Sequence, residues 1–300
     1  MVQIERVEGV ATIVGESPIW DPVSGSLWFV DILGSRVHRL APDRIVQSWD
    51  TPSSPGAVAL TADHRVAMAL EDGFCVFDPE TERFSPVVPA GCHPDARISE
   101  GKVDRQGRLV ATSGDRSFRD PVGALHRWEG PVSVGLLGDD LILGNGVCWN
   151  LDGSVLYVAD SLRDVIYAHD YEATERGGIG ARRVFYSADG EDGFPDGATV
   201  DSEDHVWTVL HRSPWIVRLT PEGSVDRRIR MPTGNICSLT FGGADLDELY
   251  VTSLDPRRIP GAPGGGAHDG EQERGLLYRV TGVGARGVAE PAATSWVGTS

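Results

Sequence analysis

A unit made of an aspartate, a few polar residues and an apolar or aromatic run recurs six times along this chain. It begins at Asp21 before LWFVD, Asp63 before VAMAL, Asp104 before LVATS, Asp152 before LYVAD, Asp201 before VWTVL and Asp245 before LYVTS, at intervals of 41 to 49 residues. A period of roughly 40–50 residues is that of a four-stranded propeller blade. After each run comes a short loop and a second alternating strand: SRVHRL (35–40), GFCVFD (73–78), GALHRW (123–128), DVIYAH (164–169), PWIVRL (214–219) and GLLYRV (275–280). Period-two alternation marks strands whose two faces pack differently, and helical periodicity is nearly absent. The expected fold is an all-β, six-bladed β-propeller, with residues 1–300 as one domain. Ring closure removes exposed sheet edges, and the segments around 3–13 and 286–298 are expected to share the closing blade.

Composition narrows the function. The 300 residues are 40% hydrophobic, enough for a buried core, and the formal net charge of −17 argues against nucleic acid or an anionic membrane surface as partner. Cys75, Cys92, Cys148 and Cys237 show no CxxC spacing, which disfavours a zinc-thiolate site or a disulfide framework. The N-terminal MVQIERVEGV lacks the basic and apolar regions of a signal peptide. The chain therefore reads as cytoplasmic, a monomer or weak homo-oligomer.

Within the repeat, three segments carry an oxygen donor at the same point. GESPIW (15–20) presents Glu16, GNGVCW (144–149) presents Asn145, and DGFPDGATVD (192–201) presents Asp196 in what reads as a turn stopping just before a strand. Around a common axis, these three side chains would meet at the channel mouth and hold one divalent cation. Calcium, magnesium or manganese suit such an oxygen site, and zinc or iron(II) also accept carboxylates. Asp196 doubles as candidate general base, since a carboxylate beside activated water can take its proton. Further rim candidates are Arg97, Ser99, Glu100, His211 and Asn235. The loop 254–274 is either a surface insertion or a lid. There is no GxSxG elbow and no HExxH pair.

GESPIWDPVSGSLWFVDI (15–32), ARISEGKVDRQGRL (96–109), GNGVCWNLDGSVLYVADS (144–161), FPDGATVDSEDHVW (194–207) and FGGADLDELYVTS (241–253) resemble, in the same order, segments of the regucalcin (senescence marker protein)/gluconolactonase family. That resemblance implies metal ligands at Glu16, Asn145 and Asp196, with Asp196 as base in opening a sugar lactone, and a small-molecule lactone as substrate. Two departures stand out. The family's Arg-x-Asn-Asp-Gly-Lys reads here Arg97-Ile98-Ser99-Glu100-Gly101-Lys102, and Arg119, beside Asp120, falls near a position where many relatives carry an acid. The expected activity is metal-dependent lactone hydrolysis. The alternatives are organophosphate hydrolysis at the same metal and non-catalytic binding of calcium or a small molecule.

Overall fold

The computed structural model describes residues 1–172, 174, 177–259 and 274–294. Its strands form six antiparallel sheets arranged as the blades of a propeller. Calling the strands of each blade a to d outward from the axis, the inner a strands are Gly15–Asp21, Pro55–Leu60, Ala96–Val103, Gly144–Trp149, Phe194–Val200 and Ile236–Gly242. Blade 6 is completed by the N-terminal strand Gln3–Val7, which pairs antiparallel with Leu277–Thr281 as its outermost member. The N-terminal half of the closing-blade expectation therefore holds.

The C-terminal half does not. Among the described residues, 286–294 add no strand to the closing blade; they bridge Asp201 through Gly287 and Thr61 through Ala293. Both contacts lie at the trailing ends of inner strands, so this segment crosses the channel at the end opposite the mouth. Lys102 and Glu290 pair there at 3.2 Å, both largely buried. The segment lacks the alternation of a strand and instead supplies a buried ion pair and Ala293, which joins the core between blades 2 and 3.

Six apolar clusters fill the gaps between neighbouring blades, one per interface. Phe74, Ile98 and Trp128 lie in the cluster between blades 2 and 3, and Trp207, Ile216 and Tyr278 in that between blades 5 and 6. Every blade thus buries both faces, which explains the long buried runs of strands b such as Ser26–Asp31, Val66–Leu70 and Val206–His211. Among the described residues no helix is long and apolar enough to cross a membrane.

The recurring aspartates turn out to fill two different places. Asp21, Asp104 and Asp201 sit at the end of strand a, where their side chains accept the backbone N–H groups of the a–b turn. Asp63 and Asp152 lie two residues further on, in turns that Thr61 and Asn150 help to hold. Asp201 has the heaviest duty. It is fully buried and accepts from Trp207 Nε1 and Arg218 Nε, each at 2.8 Å, and from the backbone of Glu203 and His205. Asp201→Ala would leave the Trp207 indole without its acceptor and the buried Arg218 guanidinium with only Glu203 and Asp226, and is expected to lower unfolding free energy by about 3 kcal/mol in a denaturant titration. Asp21→Ala, where the turn is largely exposed, should cost about 1 kcal/mol.

Candidate active site at the channel mouth

The inner strands share one irregularity, and it builds the site. In every blade the a–b pairing skips near the leading end of strand a. Regular pairing stops at Glu16 and Asn145 in blades 1 and 4, and at Pro55, Ile98, Pro195 and Ile236 in the others, where the following residue is the first skipped. One residue per blade thus stands at the edge of the irregularity. Those six positions are Glu16, Gly56, Ser99, Asn145, Asp196 and Cys237. A bulge bends its strand and re-aims the side chain it carries. The FPDG segment is accordingly part of a bulged strand, where a turn before the strand was expected.

Five of these six residues line one cavity of about 460 Å³ at the mouth; Gly56 does not. A Cβ at Gly56 would press into the Ile98 backbone, so blade 2 contributes contact between strands instead of a side chain. Gly146, just after Asn145, takes a positive φ of 56°, and a Cβ there would approach the Asp196 carbonyl. The segments leading into Glu16 and Asn145 are pinned from strand b: Asp31 accepts from Ile13 N and Val14 N, and Asp160 from Ile142 N and Leu143 N.

The predicted ligands Glu16, Asn145 and Asp196 are all buried and all face this cavity. Asn145 Nδ2 donates to Ser161 Oγ at 2.9 Å, and that hydroxyl donates to the Pro195 carbonyl at 2.7 Å. The amide nitrogen is thus committed, leaving Oδ1 as its donor atom for a cation. Glu16 Oε2 accepts from Ser17 N at 2.9 Å. The Asp196 carboxylate takes no hydrogen bond from any described residue. Burial, then the charges of Asp196 and Glu100, push Glu16 well above the usual carboxylate range. Burial, then Glu100, does the same to Asp196. Buried carboxylates set against one another without enough positive charge are the environment that a divalent cation relieves. The donor set fits such an ion.

Of the predicted substrate contacts, Arg97, Ser99 and His211 line the cavity, whereas Glu100 and Asn235 are not among its lining residues. Glu100 sits beneath, almost fully buried, where it accepts from Gly146 N and from Ser238 Oγ. Its place is that of an acid supporting the Asn145 bulge, because the skipped register turns it away from the mouth. Asn235 is folded back locally, with Nδ2 donating to Thr233 Oγ1 at 3.3 Å. Ser99 Oγ donates to the Gly144 carbonyl and lies 3.2 Å from Thr112 Oγ1, so its hydroxyl proton is engaged by the scaffold. His211 Nδ1 lies 2.9 Å from the Ile236 carbonyl. A carbonyl only accepts, so Nδ1 carries the proton, and in the neutral ring Nε2 offers its lone pair.

Arg212, which shares with His211 the rim loop that the sequence pointed to, lines the cavity as well; Cys237, Arg116 and Phe118 also line it and were not singled out by sequence as site residues. One donor atom each from Asp196, His211 and Cys237 lie within 4.8 Å of one another. Burial, then Glu16 and Asp196, hold the Cys237 thiol well above its ordinary pKa. The oxygen donors thus have a nitrogen and a sulfur beside them, the mixed surroundings in which zinc or iron(II) competes with calcium. The sequence does contain a signal for Cys237, since it occupies in blade 6 the position that Glu16 and Asp196 occupy in theirs.

Comparison with known proteins agrees with this architecture. Residues 14–255 match the family described as SMP-30/Gluconolactonase/LRE-like region, and the chain belongs to that family. Regucalcin of Xenopus laevis is 31% identical over 302 residues, covering 97% of this chain and 98% of the relative. Regucalcin of Sus scrofa is 32% identical over 303 residues, covering 96% and 97%. Among solved structures, a luciferin-regenerating enzyme superposes with a TM-score of 0.89 at 23% identity, covering 98% of this chain and 100% of the other. A calcium-binding protein, regucalcin, of Agrobacterium tumefaciens gives 0.83 at 23%, with 97% of both chains covered. A gluconolactonase of Xanthomonas campestris gives 0.73 at 21%, covering 93% and 89%. At these identities, the solved structures establish the fold.

Removing one charge from the carboxylate cluster should reveal its strain. Asp196→Asn is expected to stabilise the cation-free protein by about 1–3 kcal/mol, because it removes a buried group whose charge is opposed by Glu100 and in turn opposes that of Glu16. The same variant should lose the rise in melting temperature that a divalent cation gives the unmodified protein, worth about 2.7 kcal/mol at a hundredfold excess over Kd. Differential scanning calorimetry with and without cation reads both effects.

Proposed function

We propose that the protein hydrolyses a lactone, with one divalent cation held by Glu16, Asn145 and Asp196. The observation that carries this reading is the Asp196 carboxylate: buried in a substrate-sized cavity, served by no hydrogen bond from any described residue, and held close to the acids Glu16 and Glu100. Family membership supports the reaction class. A cation bound there supplies Lewis-acid polarisation of an ester carbonyl and lowers the pKa of water.

The chain's own residues divide the remaining work. Asp196 accepts the proton of the attacking water, the role open to a carboxylate whose lone pairs no described residue's donor occupies. Asn145, locked through Ser161 and Pro195, keeps its amide oxygen turned inward without rearrangement. Arg97, at the leading end of blade 3, orients the substrate from above, helped by Ser99 Oγ as an acceptor. Glu100 keeps Gly146 in its positive-φ conformation through the backbone N–H it accepts. The aliphatic side chains Ile32, Leu33, Leu143 and Leu162 on the wall exclude water and strengthen every charge interaction inside.

A second reading, cation binding without turnover, draws on the relatives whose names refer to calcium regulation or calcium binding. A pH-stat assay separates the two. The protein, stripped of metal and then supplied with calcium, magnesium, manganese, zinc or iron(II), is expected to release acid from a lactone panel with at least one ion. Asp196→Ala should lower that rate by roughly 10²–10⁴-fold, the span of general-base contributions, with an unchanged circular dichroism spectrum. Cation-dependent melting with no acid release from lactones would favour the binding reading, and release only from phosphotriesters would move the chemistry to phosphorus.

A further inference from the structure

The cavity is polarised along its axis. Acids occupy its floor, whereas three guanidinium groups line it nearer the rim: Arg97 at the leading end of strand a in blade 3, Arg116 after strand b of the same blade, and Arg212 after strand b of blade 5. In a chain with a formal net charge of −17, such a concentration of positive charge at one opening is unexpected by chance.

The protein only partly neutralises it. Arg116 pairs with Glu71 on blade 2. Arg97 is largely buried, yet no described residue accepts a hydrogen bond from its guanidinium or pairs with it. Its electrostatic neighbours are Arg116, which opposes its charge, and Glu71, which favours it, so two arginines share a single acid. Arg212 lies over the Phe194 ring, 5.5 Å from its centroid, and forms no ion pair among the described residues. The stacking holds its planar fork in place and leaves its edges available. Guanidinium groups fixed beside aliphatic walls, with one carboxylate among three, are matched to an anion with two or more oxygens in a plane or tripod.

Resting on the lactonase reading, we infer that the substrate is an anionic lactone. Its ring ester reaches the floor between Glu16, Asn145 and Asp196, and a carboxylate or phosphate at its other end is bound by Arg97, Arg116 and Arg212. The same charges also discriminate, since a neutral polyol lactone would cover Arg97 and Arg212 without giving either an anionic partner.

The test uses the cation-loaded protein and three matched lactones: an aldonolactone, the lactone of the corresponding aldaric acid, and the lactone of a phosphorylated aldonic acid. One of the charged lactones is expected to exceed the neutral one in kcat/KM by about tenfold or more, equivalent to about 1.4 kcal/mol. Whichever gains more identifies the anionic group. Arg116→Gln and Arg212→Gln should each raise KM for that lactone more than they lower kcat, and together erase its preference. Equal or better turnover of the neutral lactone would overturn the inference and leave the lactonase reading standing. If no lactone turns over, titration calorimetry with the ring-opened dicarboxylate and phosphorylated acid still decides. Binding weakened about tenfold by the Arg116→Gln/Arg212→Gln pair supports the anion subsite, and binding insensitive to both substitutions overturns it.

Discussion

The electrostatic conflict among Glu16, Glu100 and Asp196 is what the rest of this structure is arranged to contain. Each of these carboxylates is withdrawn from water, and for Glu16 and Asp196 the charge of neighbouring acids adds to the cost of ionisation. Glu100 is eased by Lys102 and by donors from Gly146 and Ser238. Asp196 receives no such relief from any described residue. A protein core does not ordinarily hold this much unbalanced charge unless another positive group is part of the working molecule. The propeller supplies the rigidity, since six apolar interfaces around the ring prevent the acids from moving apart.

One device, repeated six times, delivers the donors. A skip in pairing near the leading end of every inner strand turns one side chain per blade toward the channel. The chain fills those positions with Glu, Gly, Ser, Asn, Asp and Cys. Function is thereby separated from stability: the ring of bulges is common to all blades, and the chemistry lies in which residue each blade places there. The opposite end of the channel is crossed by residues 286–294, where Lys102 meets Glu290, so the cavity opens toward the mouth that the arginines surround.

Much of this was legible from the sequence because a propeller writes its period into the chain. The six aromatic-strand units marked all six blades, and the shared offset of Glu16, Asn145 and Asp196 placed the candidate ligands. What escaped depends on contacts between segments distant in sequence. Pairing register decides that Ser99 faces the cavity while its neighbour Glu100 lies beneath, and sequence order alone gave both the same role. Residues 286–294 carry no strand pattern, and their path follows from bridges to Thr61 and Asp201. Arg116 and Phe118 were hidden because the loop after Asp115 is shaped by that carboxylate, which accepts from Ser117, Arg119 and Asp120 N–H groups. The loop 254–274, read as either a surface insertion or a lid, falls for the most part outside the described residues.

The central claim is that the buried acids form a cation site, and locating the ion tests it most directly. Crystals grown with manganese would give an anomalous difference map independent of any activity. The account predicts one strong peak per chain at the floor of the mouth cavity, bounded by the oxygens of Glu16, Asn145 and Asp196, at about 2.0–2.6 Å, the range for oxygen ligands of hard divalent cations. That peak should be absent in the Asp196→Asn variant. A map with no peak among these residues, at a manganese concentration that raises the melting temperature, would contradict the account and place the stabilising ion elsewhere.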